Sequence, residues 1–186
     1  MALSAKKIER QESHFNQLLQ DQIRNELTAS QQYIAVAVWF DSEDLPQLAA
    51  HFYRQALEER NHAMMIVRFL MDNDAKPVIP AVESVRNDFT ETRELVALAL
   101  EQERTVTEEI TTLAKTARDE GNYIGEQFMQ WFLKEQVEEV SQMSTLLTVV
   151  DRAKGSMFEV ENFLAREGAG DQGADPTAPP TAGGAV

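Results

Sequence analysis

Residues 57–65 read LEERNHAMM. On a helix, Glu59 and His62 are three residues apart, so they share a face with Phe52, Ala56, Ala63 and Ile66, the apolar stripe that must point to a core. An acid and an imidazole on such a stripe need partners, because an isolated buried carboxylate is strongly disfavoured even after relaxation. The other helices have to supply them.

Outward from this stretch, apolar residues recur with a period of 3.6 in four long segments, and almost nothing alternates with period two. The first segment runs from about Glu9 to Phe40, with Phe15, Leu19, Ile23, Glu26, Ser30, Tyr33 and Ala37 in phase. The second runs from Pro46 to Asn73 after the acidic turn DSEDLP, where Asp44 is the expected N-cap and Pro46 suits a first helical turn. So short a connection predicts an antiparallel hairpin. Residues 74–91 have two prolines and no helical period. At about 3.3 Å per extended residue they can run the length of a helix of about 45 Å, as a crossover lying on a surface. The third helix is expected over Thr92–Glu120, with Val96, Ala99, Glu103, Val106, Ile110, Leu113 and Ala117 in phase, broken by Gly121 and Asn122. The fourth covers Tyr123–Ala153, with Met129, Phe132, Gln136, Val140, Met143, Leu147 and Val150 in phase. Gly155 ends it, and a short fifth helix, SMFEVENFLARE, follows.

The fold class is therefore all-α: a four-helix bundle with a long crossover between helices two and three and a short fifth helix. The 186 residues, 43% hydrophobic, suit one domain over residues 1–167. Residues 168–186, GAGDQGADPTAPPTAGGAV, lack the large apolar side chains that would offset ordering and are expected to form a disordered C-terminal tail. With no cysteine, neither disulfides nor thiolate metal sites can contribute. The N-terminus has no apolar signal region, and no segment approaches the ~20 apolar residues of a membrane span, so a soluble cytoplasmic protein without membrane partners is expected. A net charge of −14 disfavours nucleic-acid binding and suits the collection of cations.

Each stripe is interrupted near its middle: by Glu26, by Glu59 with His62, by Glu103, and by Gln136 with Glu139. In a bundle, mid-helix positions on inward faces meet. No lysine or arginine is in phase with them, whereas two divalent cations would balance the four carboxylates of Glu26, Glu59, Glu103 and Glu139. Oxygen-rich ligation with one imidazole and no sulfur suits iron or manganese better than structural zinc. Carboxylates from separate helices with a Glu-x-x-His motif are the donor pattern of di-iron bundles.

The joint spacing of Glu26 and Tyr33, Glu59 and His62, Glu103, and Gln136 and Glu139 on helices one to four resembles the bacterial non-haem ferritins, and among them the actinobacterial, mycobacterial type. The resemblance covers roughly residues 10–167 and implies an iron store with ferroxidase activity. It makes Glu26, Glu59 and His62 ligands of one iron, with Glu59 bridging to a second iron held by Glu103 and Glu139. Gln136 would hydrogen-bond dioxygen or water, and Tyr33 and Trp131 match aromatic positions that donate electrons. Glu58, Glu135, Glu138 and Glu139 match a third iron site on the cavity side. The implied reaction oxidises Fe(II) with dioxygen and moves Fe(III) to a mineral inside a homo-oligomeric shell of twenty-four subunits, emptied by an unidentified reductase.

The chain departs from the bacterioferritins at two places. Glu139 stands where they carry a second histidine, and Arg60 stands where their haem-binding methionine follows the bridging glutamate, so haem is not expected and Met64 and Met65 are read as packing residues. Of the acidic pair lining threefold pores in some ferritins, Glu126 matches and Met129 replaces the other. His14 and His51 have no partner pattern and are read as surface or interface residues. Three other readings share the bundle. A di-iron oxygenase or rubrerythrin-like peroxidase would store no mineral, and the missing cysteines speak against the latter. A non-enzymatic helical scaffold would carry its acids only at stripe edges, and a DNA-protecting mini-ferritin would lack the fifth helix.

Overall fold

The computed structural model describes residues 13–168 and 175–185. Five helices follow one another: α1 (His14–Ser42), α2 (Pro46–Asp72), α3 (Thr92–Asp119), α4 (Tyr123–Ala153) and α5 (Met157–Gly168), with no strand among the described residues. The expected start of the first helix, near Glu9, lies outside the described residues. Helix α1 packs on α2 and α3, α3 on α4, and α5 touches α2 and α4. This is the four-helix bundle with a short fifth helix that the stripes predict.

The ends of the helices show why the chain turns where it does. Asp44 is not the N-cap of α2: it takes a left-handed conformation, φ 56°, as part of the C-terminal cap of α1, while Leu45 N–H bonds to the Phe40 carbonyl at 3.0 Å. The cap position of α2 falls to Leu45, which has no side-chain acceptor. The free N–H groups of Gln47 and Leu48 instead donate to the carboxylate of Glu161 on α5, at 2.9 and 3.0 Å. A negative group at a helix N-terminus satisfies orphan donors and the helix dipole together. Helix α5 thus closes the end of the bundle by capping α2.

The crossover is pinned to α1 by side chains. Gln20 exchanges two hydrogen bonds with the backbone of Val78, Gln32 does the same with Arg86, and Thr28 accepts from Glu83 N–H. Residue numbers rise together in both partners, so the crossover runs parallel to α1 and delivers α3 antiparallel to it. Val78, Ile79 and Val82 face outward, while Phe89 packs against the core. Between α3 and α4, Gly121 adopts φ 69° and Asn122 caps α4 through Gly125 N–H. Gly125 is required by a close approach: a Cβ there would stand 2.5 Å from Cε1 of Phe15.

The inward stripes on α1 and α3 are buried as expected, whereas on α4 Leu146 is buried and Val140 and Leu147 only partly so. The core is not continuous. One apolar cluster gathers Tyr33 to Phe40, Leu48 to Ala56, Leu95 to Leu100 and Met143 to Ala153. The other gathers Phe15 to Ile23, Met65 to Leu70, Val106 to Ala117, and Met129 with Phe132. Between them, on all four helices, lies a buried polar layer: Glu26 and Ser30, Glu59 and His62, Glu103, Gln136 and Glu139.

Residues 175–185 fall in the segment expected to form the C-terminal tail. They lie against the bundle: Asp175 accepts from Trp131 and Lys134, Ala182 N–H bonds to the Met64 carbonyl at 3.0 Å, and Ala178 and Ala182 pack on the second cluster. Polar anchoring by one aspartate replaces the apolar side chains the segment lacks. Residues 169–174 and 186 of that tail lie outside the described residues.

Candidate metal centre

The polar layer is buried. Glu26, Glu59, His62, Glu103, Gln136 and Glu139 expose 0, 1, 3, 0, 2 and 3% of their surface. Each offering one atom, Glu26, Glu59 and His62 bring their ligand atoms within 4.8 Å of one another. His62 Nδ1 lies 3.2 Å from a Glu59 oxygen, and Gln22 donates to Glu26 Oε1 at 3.0 Å. The Tyr33 hydroxyl donates a short hydrogen bond to Glu103, while Thr107 donates to Gln136 Oε1 at 2.9 Å. One carboxylate oxygen on each of Glu26, Glu103 and Glu139 is buried with no hydrogen-bond partner. Among the described residues no lysine or arginine forms an ion pair with these four glutamates.

Burial without compensation shows in the protonation equilibria. It pushes the carboxyl groups of Glu26, Glu59 and Glu139 well above the usual range, with a neighbouring glutamate adding to it in each case: Glu59 for Glu26, and Glu103 for the other two. Glu103 is raised by burial too, against hydrogen bonds from Tyr33 and Gln136 and the charge of His62. Burial, and then the Glu103 charge, push the Tyr33 phenol up. The set is short of positive charge and has free oxygen lone pairs, which is the condition a bound cation relieves. Glu26, Glu59 and His62 can hold one metal ion directly. Glu103 and Glu139 stand close enough to raise Glu59 electrostatically but are not part of that tight group.

The remaining expected residues are placed as follows. Glu58 is exposed, accepts a short hydrogen bond from Gln55 and feels Glu135; Glu135 is half-buried and feels Glu138. Glu138 is exposed and its carboxylate accepts from Gln142 at 3.2 Å. Trp131 stands edge-on to His62, ring centroids 5.7 Å apart. Met129 is fully buried, and Glu126 is held by Arg118 at 2.6 Å. Arg60 is half-buried, and Met64 and Met65 pack in the second cluster. His14 is exposed, but His51 is half-buried against Phe52, and burial followed by the Arg54 charge lowers its pKa to about 4.

Three participants were not expected. Gln22 and Gln55 are buried one helical turn before Glu26 and Glu59; Gln22 bonds Glu26, and Gln55 bonds Glu58 and lowers the pKa of Glu139. A glutamine four residues ahead of Glu26 and of Glu59 is the signal that could have found them. Asp175, the third, has no local signal.

The family described as "Ferritin: Ferritin-like domain" matches residues 16–153. Ferritin BfrB of Mycolicibacterium smegmatis is 62% identical over 175 residues, 94% of this chain and 96% of that protein. Ferritin BfrB of Mycobacterium tuberculosis is 63% identical over 153 residues, 82% of this chain and 84% of that protein. The bacterial non-heme ferritin of Staphylococcus aureus is 35% identical over 134 residues, 72% and 81%. Among solved structures, an open pore ferritin from Archaeoglobus fulgidus superposes with a TM-score of 0.80 over 84% of this chain and 97% of that one, at 23% identity. With the family domain spanning all four long helices and the polar layer between their apolar clusters, the chain belongs to the ferritin family.

Proposed function

We propose that the protein stores iron and oxidises it on the way in, with Fe(II) and dioxygen as substrates. The observation that carries this reading is the buried Glu26, Glu59 and His62 group, surrounded by unpartnered carboxylate oxygens and, among the described residues, without an ion pair to any lysine or arginine. Two Fe(II) ions supply the four positive charges that Glu26, Glu59, Glu103 and Glu139 require. Glu59, the central acid electrostatically, is the bridge between them. The reaction balances as two Fe(II) and dioxygen with two protons giving two Fe(III) and hydrogen peroxide. Carboxylates suit it because they bind Fe(II) reversibly and stabilise the harder Fe(III) product. Gln136 serves as the polar contact for dioxygen or water. Glu58, Glu135, Glu138 and Glu139 form the acidic way out on the α2 and α4 side and a third iron site.

Storage requires a closed shell, which we assign to twenty-four copies of the chain, and release requires an external reductase. Large apolar side chains left in water by a single chain, Tyr123, Ile124, Val137 and Phe158, support assembly: they are 67 to 77% exposed. No described helix is long and apolar enough to cross a membrane.

The test is aerobic addition of Fe(II) to purified protein, following ferric absorbance and the iron retained on the protein. Fast oxidation with retention is expected. Oxidation no faster than in buffer, or fast oxidation without retention, would refute the reading. Replacing Glu59 and His62 together with alanine is expected to abolish the fast phase while circular dichroism stays helical; an unchanged rate would show that iron is oxidised elsewhere.

A further inference from the structure

The segment 175–185 reaches back to the metal centre through one contact. Trp131 donates its indole N–H to Asp175 Oδ2 at 3.1 Å, and the same ring stands 5.7 Å from His62, centroid to centroid. Asp175 is itself held from several sides. Thr177 donates to Oδ1 from its backbone at 2.8 Å and from its hydroxyl at 2.7 Å, and Lys134 donates to Oδ2 at 3.2 Å. Ala182 then ties the segment to the Met64 carbonyl on α2. The carboxylate is thereby fixed at the indole N–H.

An electron-rich indole beside an oxidising centre can give up one electron, and the cation left behind is stabilised by a fixed anion in hydrogen-bond contact. Such charge-assisted bonds are shorter and roughly twice as strong as neutral ones. We propose that Asp175 is a positioning residue that makes Trp131 oxidisable: its fixed negative charge at the indole N–H stabilises the cation radical formed when Trp131 donates an electron. This rests on the reading that Fe(II) is oxidised at the buried group. Two Fe(II) carry dioxygen only as far as peroxide. One electron from Trp131 and one from a further Fe(II), with two protons, reduce that peroxide to two waters. No bond to Trp131 breaks: the ring loses one electron, and its N–H proton stays in the hydrogen bond. The hydrogen bonds from Thr177, Trp131 and Lys134 hold the Asp175 carboxyl well below the usual range, so it remains ionised and compensates charge rather than taking the proton. The role of the segment is thus to limit peroxide release by opening a route for a further electron.

The test uses the full-length assembled protein, loaded anaerobically with Fe(II), mixed with dioxygen and followed by stopped-flow absorbance and freeze-quench electron paramagnetic resonance. The parent is expected to show a tryptophan cation radical that Trp131→Phe removes, leaving Trp39 as the remaining indole. Asp175→Asn keeps an acceptor oxygen but loses the charge, so the radical yield is expected to fall about tenfold and released peroxide to rise. Asp175→Glu is expected to restore most of the signal, which a merely structural role for the segment would not require. Fast Fe(II) oxidation by the parent with no tryptophan radical overturns the inference and leaves the ferroxidase reading standing. So does an unchanged yield in Asp175→Asn, or a signal that survives Trp131→Phe. If the parent does not accelerate Fe(II) oxidation at all, the functional reading fails, and this inference with it.

Discussion

Glu26→Gln is expected to make the metal-free protein more stable. Glu26 is fully buried; Oε1 accepts from Gln22 at 3.0 Å, and Oε2 has no partner. A glutamine keeps the first bond, and its amide can donate toward Glu59, turning a repulsive neighbour into a hydrogen-bond acceptor. Removing that carboxyl while preserving volume lifts a penalty of about 1.4 kcal/mol for each pH unit above the unfolded pKa until the folded pKa is reached, which for a chain of this length is roughly 3–6 °C in Tm per unit. The pH dependence fixes the cause. Burial and then the Glu59 charge raise the folded pKa of Glu26 above its unfolded value of about 4.3. Below that value both states are protonated and the group contributes nothing. As pH rises above it, the folded state is penalised increasingly until its own pKa is passed. The difference between variant and parent should therefore be small near about pH 4.5 and grow as pH rises, with the titration of Glu59, which interacts directly with Glu26, shifting in the variant as well. A divalent cation at 100 times its Kd should stabilise the parent by about 2.7 kcal/mol and the variant by less. Thermal melts of metal-stripped protein at one concentration measure all three. A variant less stable than the parent near about pH 8, or a gap independent of pH, would refute the claim that the layer is uncompensated when empty.

Three further substitutions probe the frame around the site. Gly125→Ala drives a Cβ to 2.5 Å from Phe15 Cε1 and is expected to cost about 1–3 kcal/mol in chemical denaturation, with Phe15→Leu relieving part of it. Glu161→Ala strips the two N–H groups of Gln47 and Leu48 of their acceptor and should cost about 1 kcal/mol, with amide exchange accelerating first at the start of α2. Tyr33→Phe removes the hydroxyl that donates to a buried Glu103 oxygen and is expected to destabilise metal-free protein by about 1–3 kcal/mol, read from the denaturation midpoint.

What could be read from the sequence follows from what each feature needs. The four long helices were legible because each repeats one face over many turns, and Glu59 with His62 was legible because a charge inside an apolar stripe violates the pattern that makes it a stripe. Gln22 and Gln55 were not, since an uncharged amide breaks that pattern weakly although it holds the acid one turn away. Neither were Glu161 and Asp175, whose partners lie 113 and 44 residues distant. Asp44 misled because aspartate suits both a left-handed helix exit and a helix start, and only the neighbouring geometry chooses. The same distinction explains the division of labour in the fold. Two apolar clusters hold the bundle at its ends, so the middle layer is free to remain electrostatically unfavourable when empty. A continuous apolar core through that layer would be more stable, and it would have no oxygen atoms left unpaired for a cation to meet.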